Sequence, residues 1–264
     1  MFRELSATDF GSVVPMFPHK HELPAVAVLT RQFPGRVFWE DGGGGTATAA
    51  VVWVSGRWFY ITGTVSSETK TNFDHFLKDV VVPMRRQEGW VEIYAPDDSQ
   101  WDHLLLGVPG VAGVEKHYET TYTLDLQRFR AFLETGKALL DGARVIVTEQ
   151  PTPPLGGSDD SHRRASLAAE VRRQETVLAA CRDNGLRVGR EYFVDVDTFD
   201  PSERQKGYAT LAAMTLIRET LPNGDVPLWE TTESNWASRR LANKLGFRPH
   251  EAYPVYAFTL LRDH

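Results

Sequence analysis

The residues Arg204-Gln205-Lys206-Gly207-Tyr208-Ala209-Thr210 have the types and spacing to do chemistry on an anion. An apolar run, Tyr192-Phe193-Val194-Asp195-Val196, precedes them and reads as a strand. Leu211-Ala212-Ala213-Met214-Thr215-Leu216-Ile217 follows and reads as a helix. The start of a helix presents backbone N–H groups without intrahelical partners and the positive end of the helix dipole. Gly207 lets the backbone come close to a ligand, and Arg204 and Lys206 add positive charge. Such a strand-to-helix junction can hold a diphosphate. It matches neither of the two common phosphate patterns, G-x-x-x-x-G-K-S/T or G-x-G-x-x-G after a strand.

The text downstream continues in a definite order. Pro222-Asn223-Gly224 is a stop signal, and Val226 to Thr232 reads as a strand. A helix follows, in which Ala237, Leu241 and Leu245 form one apolar stripe. Gly246 stands where a C-cap glycine belongs, with Pro249 beyond it. The pattern Arg204-x-x-Gly207-x-Ala209 resembles the acetyl-CoA loop of the GNAT superfamily of N-acetyltransferases. Asn235, Ser238, Leu241, Gly246 and Phe247 match that family's second pattern, N-x-x-A/S-x-x-L/F-x-x-x-x-G-F. Upstream, Pro34 to Asp41, Ala49 to Trp53 and Trp58 to Gly63 fall in an order similar to the bacterial GNAT subfamily that includes zwittermicin-resistance-type acetyltransferases. Members of that subfamily have a first GNAT-like half without a cofactor loop and a second, catalytic half.

The resemblance implies an acetyl-CoA-dependent N-acetyltransferase in which a primary amine of a small molecule attacks the thioester directly. It implies a central strand that splays from its neighbour, with backbone N–H groups at Val196, Thr198 and Phe199 polarising the acyl carbonyl. Arg204, Gln205, Lys206, Gly207, Tyr208, Ala209 and Thr210 are expected to hold the diphosphate, mainly through the main chain. Asn235 and Ser238 are expected to flank the pantetheine. An alkylammonium with a pKa near ~10 must lose a proton before it attacks. The candidate bases are Asp195, Asp197 and Glu230. Alternation puts Asp195 and Asp197 on one face of their strand, and Glu230, on the strand that would face Asp197, is the first choice by position. A solvated face or a loop-capping role accounts for these carboxylates equally, and a base acting through water is compatible too. Two positions depart from the family. Its tyrosine seven residues after the asparagine is Ala242 here, so a water or another donor must protonate the thiolate. Thr198-Phe199-Asp200-Pro201 is also one residue longer than the usual spacing. Other readings stay open: a non-catalytic acyl-CoA-binding or regulatory module, or an acyltransferase for a longer acyl group or a peptide amine.

The elements that must position these residues read as an α/β chain with an α+β mixed sheet and tandem GNAT-like domains. The expected domains are 1–125, a linking helix 126–142, and a cofactor-bearing domain 143–264. In the first half, strands are expected at Arg36 to Glu40, Thr46 to Val54, Trp58 to Thr64, Trp90 to Tyr94 and Glu115 to Leu124, with helices at Asn72 to Gln87 and Ser99 to Leu106. Gly42 to Gly45 lies between two strands and reads as a hairpin connection. Leu126 to Leu140 reads as a helix and 151–164 as a loop. Ala168, Ala169 and Glu170 favour a helix by propensity, but the resemblance favours strands through Val171 and Thr176 to Cys181. The chain has 264 residues, 42% hydrophobic and 24% charged, as in ordinary globular proteins. Its net charge of -6 argues against general nucleic-acid binding. Cys181, the only cysteine, reads as a small buried hydrophobe. His75, His103 and His162 have no metal-ligand spacing, so no metal is expected. With no signal core and no membrane-length apolar run, a cytoplasmic chain is expected, with a homodimer open.

Overall fold

A computed structural model describes residues 1–56, 58–85, 90–107, 111–135, 142–150 and 166–260. The expected loop at 151–164 and the ends of the expected helices at Gln87 and Leu140 lie outside them. The first part of the chain runs β1 (Arg3–Glu4), α1 (Leu23–Leu29), β2 (Gly35–Asp41), β3 (Ala47–Val54), β4 (Phe59–Gly63), α2 (Ser67–Phe76), α3 (Val82–Arg85), β5 (Trp90–Tyr94), α4 (Ser99–Leu106) and β6 (Val111–Leu124). The second continues with α5 (Leu126–Thr135), β7 (Arg144–Gln150), β8 (Ser166–Arg173), β9 (Thr176–Val188), β10 (Glu191–Thr198), α6 (Tyr208–Thr220), β11 (Val226–Thr232), α7 (Trp236–Lys244) and β12 (Phe247–Leu260).

The chain divides into two compact units, Met1–Glu119 with Ala252–His264, and Thr120–Glu251. In the first, the strand order is β1-β2-β3-β4-β5-β12. The β2–β3 hairpin closes as expected around Asp41, whose Oδ1 accepts the Gly43 and Gly45 N–H groups at 2.9 and 3.2 Å. β4 and β5 are parallel, and β12 returns antiparallel to β5, with Val255 opposite Tyr94 and Thr259 opposite Trp90. The helix expected from Asn72 starts earlier, because the Ser66 hydroxyl caps it by accepting the Thr69 N–H at 2.9 Å. It is broken by a wide π turn at Leu77–Val81. Pro83, two residues beyond, has no N–H to offer a regular helix, and a wide turn absorbs that loss. The short α1 was not foreseen.

In the second unit the order is β6 (from Thr120 on), β11, β10, β9, β8, β7. β7 to β10 are antiparallel, and β10 and β11 are parallel. The segment of open helix-or-strand character is a hairpin, β8–β9, with Gln174 at φ 54 in its turn. Its small residues decide this. Ala169, Ala179 and Cys181 are buried in one core with Ala212, Ala213 and Leu216 of α6, and small side chains on both surfaces let helix and sheet approach closely. Burial of this kind, about 25 cal/mol per Å2 of apolar surface, outweighs the tenths of a kcal/mol by which propensity favours a helix. Burial pushes the Cys181 thiol well up, so it is an inert core group. Gly246, at φ 93 after α7, lies against α5, where a Cβ would stand 2.7 Å from the Phe129 nitrogen. No helix among the described residues is long and apolar enough to cross a membrane.

Candidate functional site

β10 ends at Thr198, and Asp200 caps the short turn Pro201–Glu203 by accepting the Ser202 N–H at 2.8 Å. Gln205 (φ 64) and Gly207 (φ 88) are both left-handed, and Gly207 is the N-cap of α6. The first bond of the helix runs from Leu211 N–H to Gly207 oxygen at 3.0 Å. The N–H groups of Tyr208, Ala209 and Thr210 therefore precede the ladder, as at every helix start. Arg204, Gln205, Lys206 and Gly207 are exposed, so the junction lies open to solvent.

The loop's charges are less free than its sequence implies. Lys206 sits 3.1 Å from Glu203 and Arg173 of β8 sits 3.3 Å from it. The Lys206 hydrogen bond lowers the Glu203 pKa below its ordinary value. Arg173 also donates to the Tyr208 hydroxyl at 2.6 Å, which fixes the first residue of α6. A further cation comes from α7, where Lys244 reaches within 3.5 Å of Thr210 Oγ1. Sequence reading missed Lys244 and Arg173, although Lys244 stands just before the Gly246-Phe247 pair. Because Lys206 already faces a carboxylate and Lys244 pairs with none among the described residues, Lys244→Met is expected to weaken coenzyme A binding about tenfold at low salt and Lys206→Met about threefold or less. Titration calorimetry at two salt concentrations checks this ranking.

Beside the junction the sheet opens. β10 and β11 pair at Glu191–Val226, Tyr192–Pro227 and Phe193–Leu228, and no later pair occurs among the described residues. On its other side β10 stays paired with β9 as far as Thr198–Ala179. Phe199 donates its N–H to the Leu178 oxygen at 3.2 Å. Strand alternation then points the N–H groups of Val194, Val196 and Thr198 away from β9, into the gap toward β11. Val196 and Thr198 thus present N–H groups as expected of a splayed strand, whereas the Phe199 N–H is spent and that residue brings a ring, 52% exposed.

The carboxylates lie on the face opposite the α6 core. Arg182 stands 3.9 Å from Asp195 and 3.6 Å from Asp197, all three side chains partly exposed. Trp229 points the other way, its indole donating to Ser238 Oγ at 2.9 Å. Glu230 therefore shares the face of Asp195 and Asp197. Continuing the Phe193–Leu228 register sets it level with Asp195, not with Asp197. Asn235 caps α7, accepting the Ser238 N–H at 3.1 Å, so both residues have helix-building duties and the amide nitrogen of Asn235 is the group left to face a ligand. Ala242 is fully buried in the core of this unit.

The first unit repeats the strand-helix-strand arrangement with a different filling. Among the described residues β4 pairs with β5 at Phe59–Ile93 and Tyr60–Tyr94 and then runs on to Gly63. Trp101, 1% exposed, donates its indole N–H to the Gly63 oxygen at 3.1 Å. At the start of α2, the buried Glu40 accepts from Thr69 at 2.6 Å and Asn72 at 2.5 Å. An internal carboxylate and an indole occupy the places where the second unit has an open turn and a gap. Calorimetry is accordingly expected to give one acyl-CoA per chain; two would contradict this.

Residues 170–256 match the family model described as GNAT acetyltransferase. No curated protein sequence matches the chain. Among solved structures, a GCN5-related N-acetyltransferase-like protein from Streptococcus suis superposes with a TM-score of 0.68 at 16% identity, covering 96% of this chain and 99% of that one. A Drosophila protein gives 0.63 at 11% identity, covering 98% of each. A tandem GNAT protein from the clavulanic acid biosynthesis pathway gives 0.62 at 12% identity, covering 100% and 99%. The chain thus has the GNAT fold along its length, and its segment 170–256 matches the GNAT acetyltransferase family.

Proposed function

We propose that this protein is an acetyl-CoA-dependent N-acetyltransferase acting on a primary amine of a small molecule, with its cofactor site in the second unit. The observation that carries the reading is the divergence of β10 from β11 directly before a helix capped by a left-handed glycine. An exposed turn, unpartnered helix N–H groups and open space around Gly207 fit a nucleotide diphosphate. Acetyl-CoA would bring the acyl group already activated as a thioester. Arg204 to Thr210 hold the diphosphate through the main chain, with Lys244 adding charge. Val196 and Thr198 N–H groups face the opening, where a carbonyl oxygen gains negative charge during attack. Asn235 offers its amide to the pantetheine. Glu230 takes the proton from the amine, directly or through a water.

A second reading, a module that binds acyl-CoA without turnover, is favoured by two observations. Ala242 is buried where an acid would be needed, and Arg182 already accompanies Asp195 and Asp197. A thiol-release screen over a panel of primary amines separates the two. Release that depends on both acetyl-CoA and an amine is expected; tight binding with no release on any amine would establish the module instead.

A further inference from the structure

A buried charge cluster lies at the closed end of the β10–β11 opening, and neither the diphosphate turn nor the candidate bases use it. Arg187 of β9 donates Nε to Asp183 Oδ2 at 2.5 Å and places Nη1 3.3 Å from Asp225 Oδ2, just before β11. Its guanidinium lies over the Tyr192 ring of β10, 4.5 Å from the centroid. The Tyr192 hydroxyl and Thr220 Oγ1, in the last turn of α6, are 2.7 Å apart. Asp183, Tyr192, Thr220 and Asp225 are all buried. Burial pushes the Asp183 carboxyl up, against the opposing pull of Arg187. The cluster also sits at a bulge: Tyr192 pairs with Arg187 and Val194 with Asp183, so Asn184 to Leu186 stand opposite Phe193 alone. Gly185 N–H returns to Asp183 Oδ1 at 2.9 Å and holds that bulge.

One arginine thus joins β9 to the start of β11 across β10, beside the three paired positions Glu191–Val226 to Phe193–Leu228 beyond which the strands part. We propose that Arg187, held between Asp183 and Asp225, is a positioning residue that sets how β10 leaves β11, and so where the Val196 and Thr198 N–H groups stand. The proposal rests on the acyl-transfer reading. Bulges bend and twist the strand that carries them, and removing one member of a buried ionic cluster leaves its partners uncompensated. Displacing an aligned group by about 1 Å costs on the order of a hundredfold in rate. The diphosphate turn is at the other end of the 13-residue α6, about 20 Å away. Anchoring of the nucleotide and alignment of the thioester are therefore separable.

The test compares Arg187→Lys with a neutral triple variant, Asp183→Asn, Arg187→Met and Asp225→Asn. Lysine keeps the charge but cannot span both carboxylates. For Arg187→Lys the expected result is a coenzyme A Kd within about threefold of the parent and a kcat lower by about 30-fold or more. The triple variant should regain melting temperature without regaining kcat. Recovery of kcat along with melting temperature would overturn the proposal, since the cluster would then only support the fold. Equal loss of coenzyme A affinity would overturn it as well. Hydrogen exchange gives a readout that needs no turnover: the amides of residues 191–193, Val226 and Leu228 should exchange faster in Arg187→Lys, and unchanged exchange there refutes the clamp. A parent chain inactive on every amine, combined with that faster exchange, would support the clamp and reject the transferase.

Discussion

A Gly207→Val chain is expected to bind coenzyme A at least about 100-fold more weakly than the parent, while melting within a few degrees of it. The cause is backbone geometry, not space. A Cβ on Gly207 would meet nothing within 4 Å, but its φ of 88 is closed to a β-branched residue. Valine would swing this residue toward negative φ, and the Tyr208, Ala209 and Thr210 N–H groups would turn with it. A hundredfold in Kd is about 2.7 kcal/mol, comparable to losing one or two charge-assisted hydrogen bonds. Gly207→Ala, with a smaller penalty at positive φ, should lose roughly tenfold. The turn is exposed, so little core packing depends on it. Calorimetry with coenzyme A, together with thermal melts, measures both halves of the expectation. An unchanged Kd for the valine variant would remove the turn from the cofactor site.

The second large effect is expected at Glu230. Glu230→Gln should lower kcat by about 100-fold to 1000-fold and flatten the rise of kcat/KM with pH, as loss of a general base does. Asp195→Asn and Asp197→Asn should each cost less than about tenfold. The difference follows from surroundings. Asp195 and Asp197 share Arg182 on an open part of the sheet, whereas Glu230 lies on the strand that leaves β10 and is less exposed. Coenzyme A affinity should be unaltered in all three. A collapse of kcat in Asp197→Asn with little change in Glu230→Gln would reverse the assignment.

How far the chain could be read in advance depended on the range of the interactions. The turn at Arg204 to Thr210 and the helix from Asn235 were legible because each is a local pattern: a glycine where φ is positive, a cap four residues into a motif, an apolar stripe. The β8–β9 hairpin was half legible, since Ala168 to Glu170 point to a helix until Ala169 is known to share a core with Ala212 and Ala213 of α6. That Val196 and Thr198 but not Phe199 turn their N–H groups to the opening was not legible. It depends on the Phe199–Leu178 hydrogen bond, a parity that one inserted residue would invert. Lys244 near Thr210 and Arg187 near Asp225 are likewise contacts between distant segments, and such polar contacts leave no periodic trace. The destination of β12, whose residues from Ala252 lie with the first unit, is set by pairing with β5 and by no local signal.

The most direct measurement is the amide nitrogen–proton spectrum of the chain titrated with coenzyme A. The account predicts that the Gly207, Tyr208, Ala209 and Thr210 signals move together and saturate at one equivalent, with Val196 and Thr198 moving further when acetyl-CoA replaces coenzyme A. Saturable binding that shifts other amides and leaves those of residues 207–210 in place would contradict it.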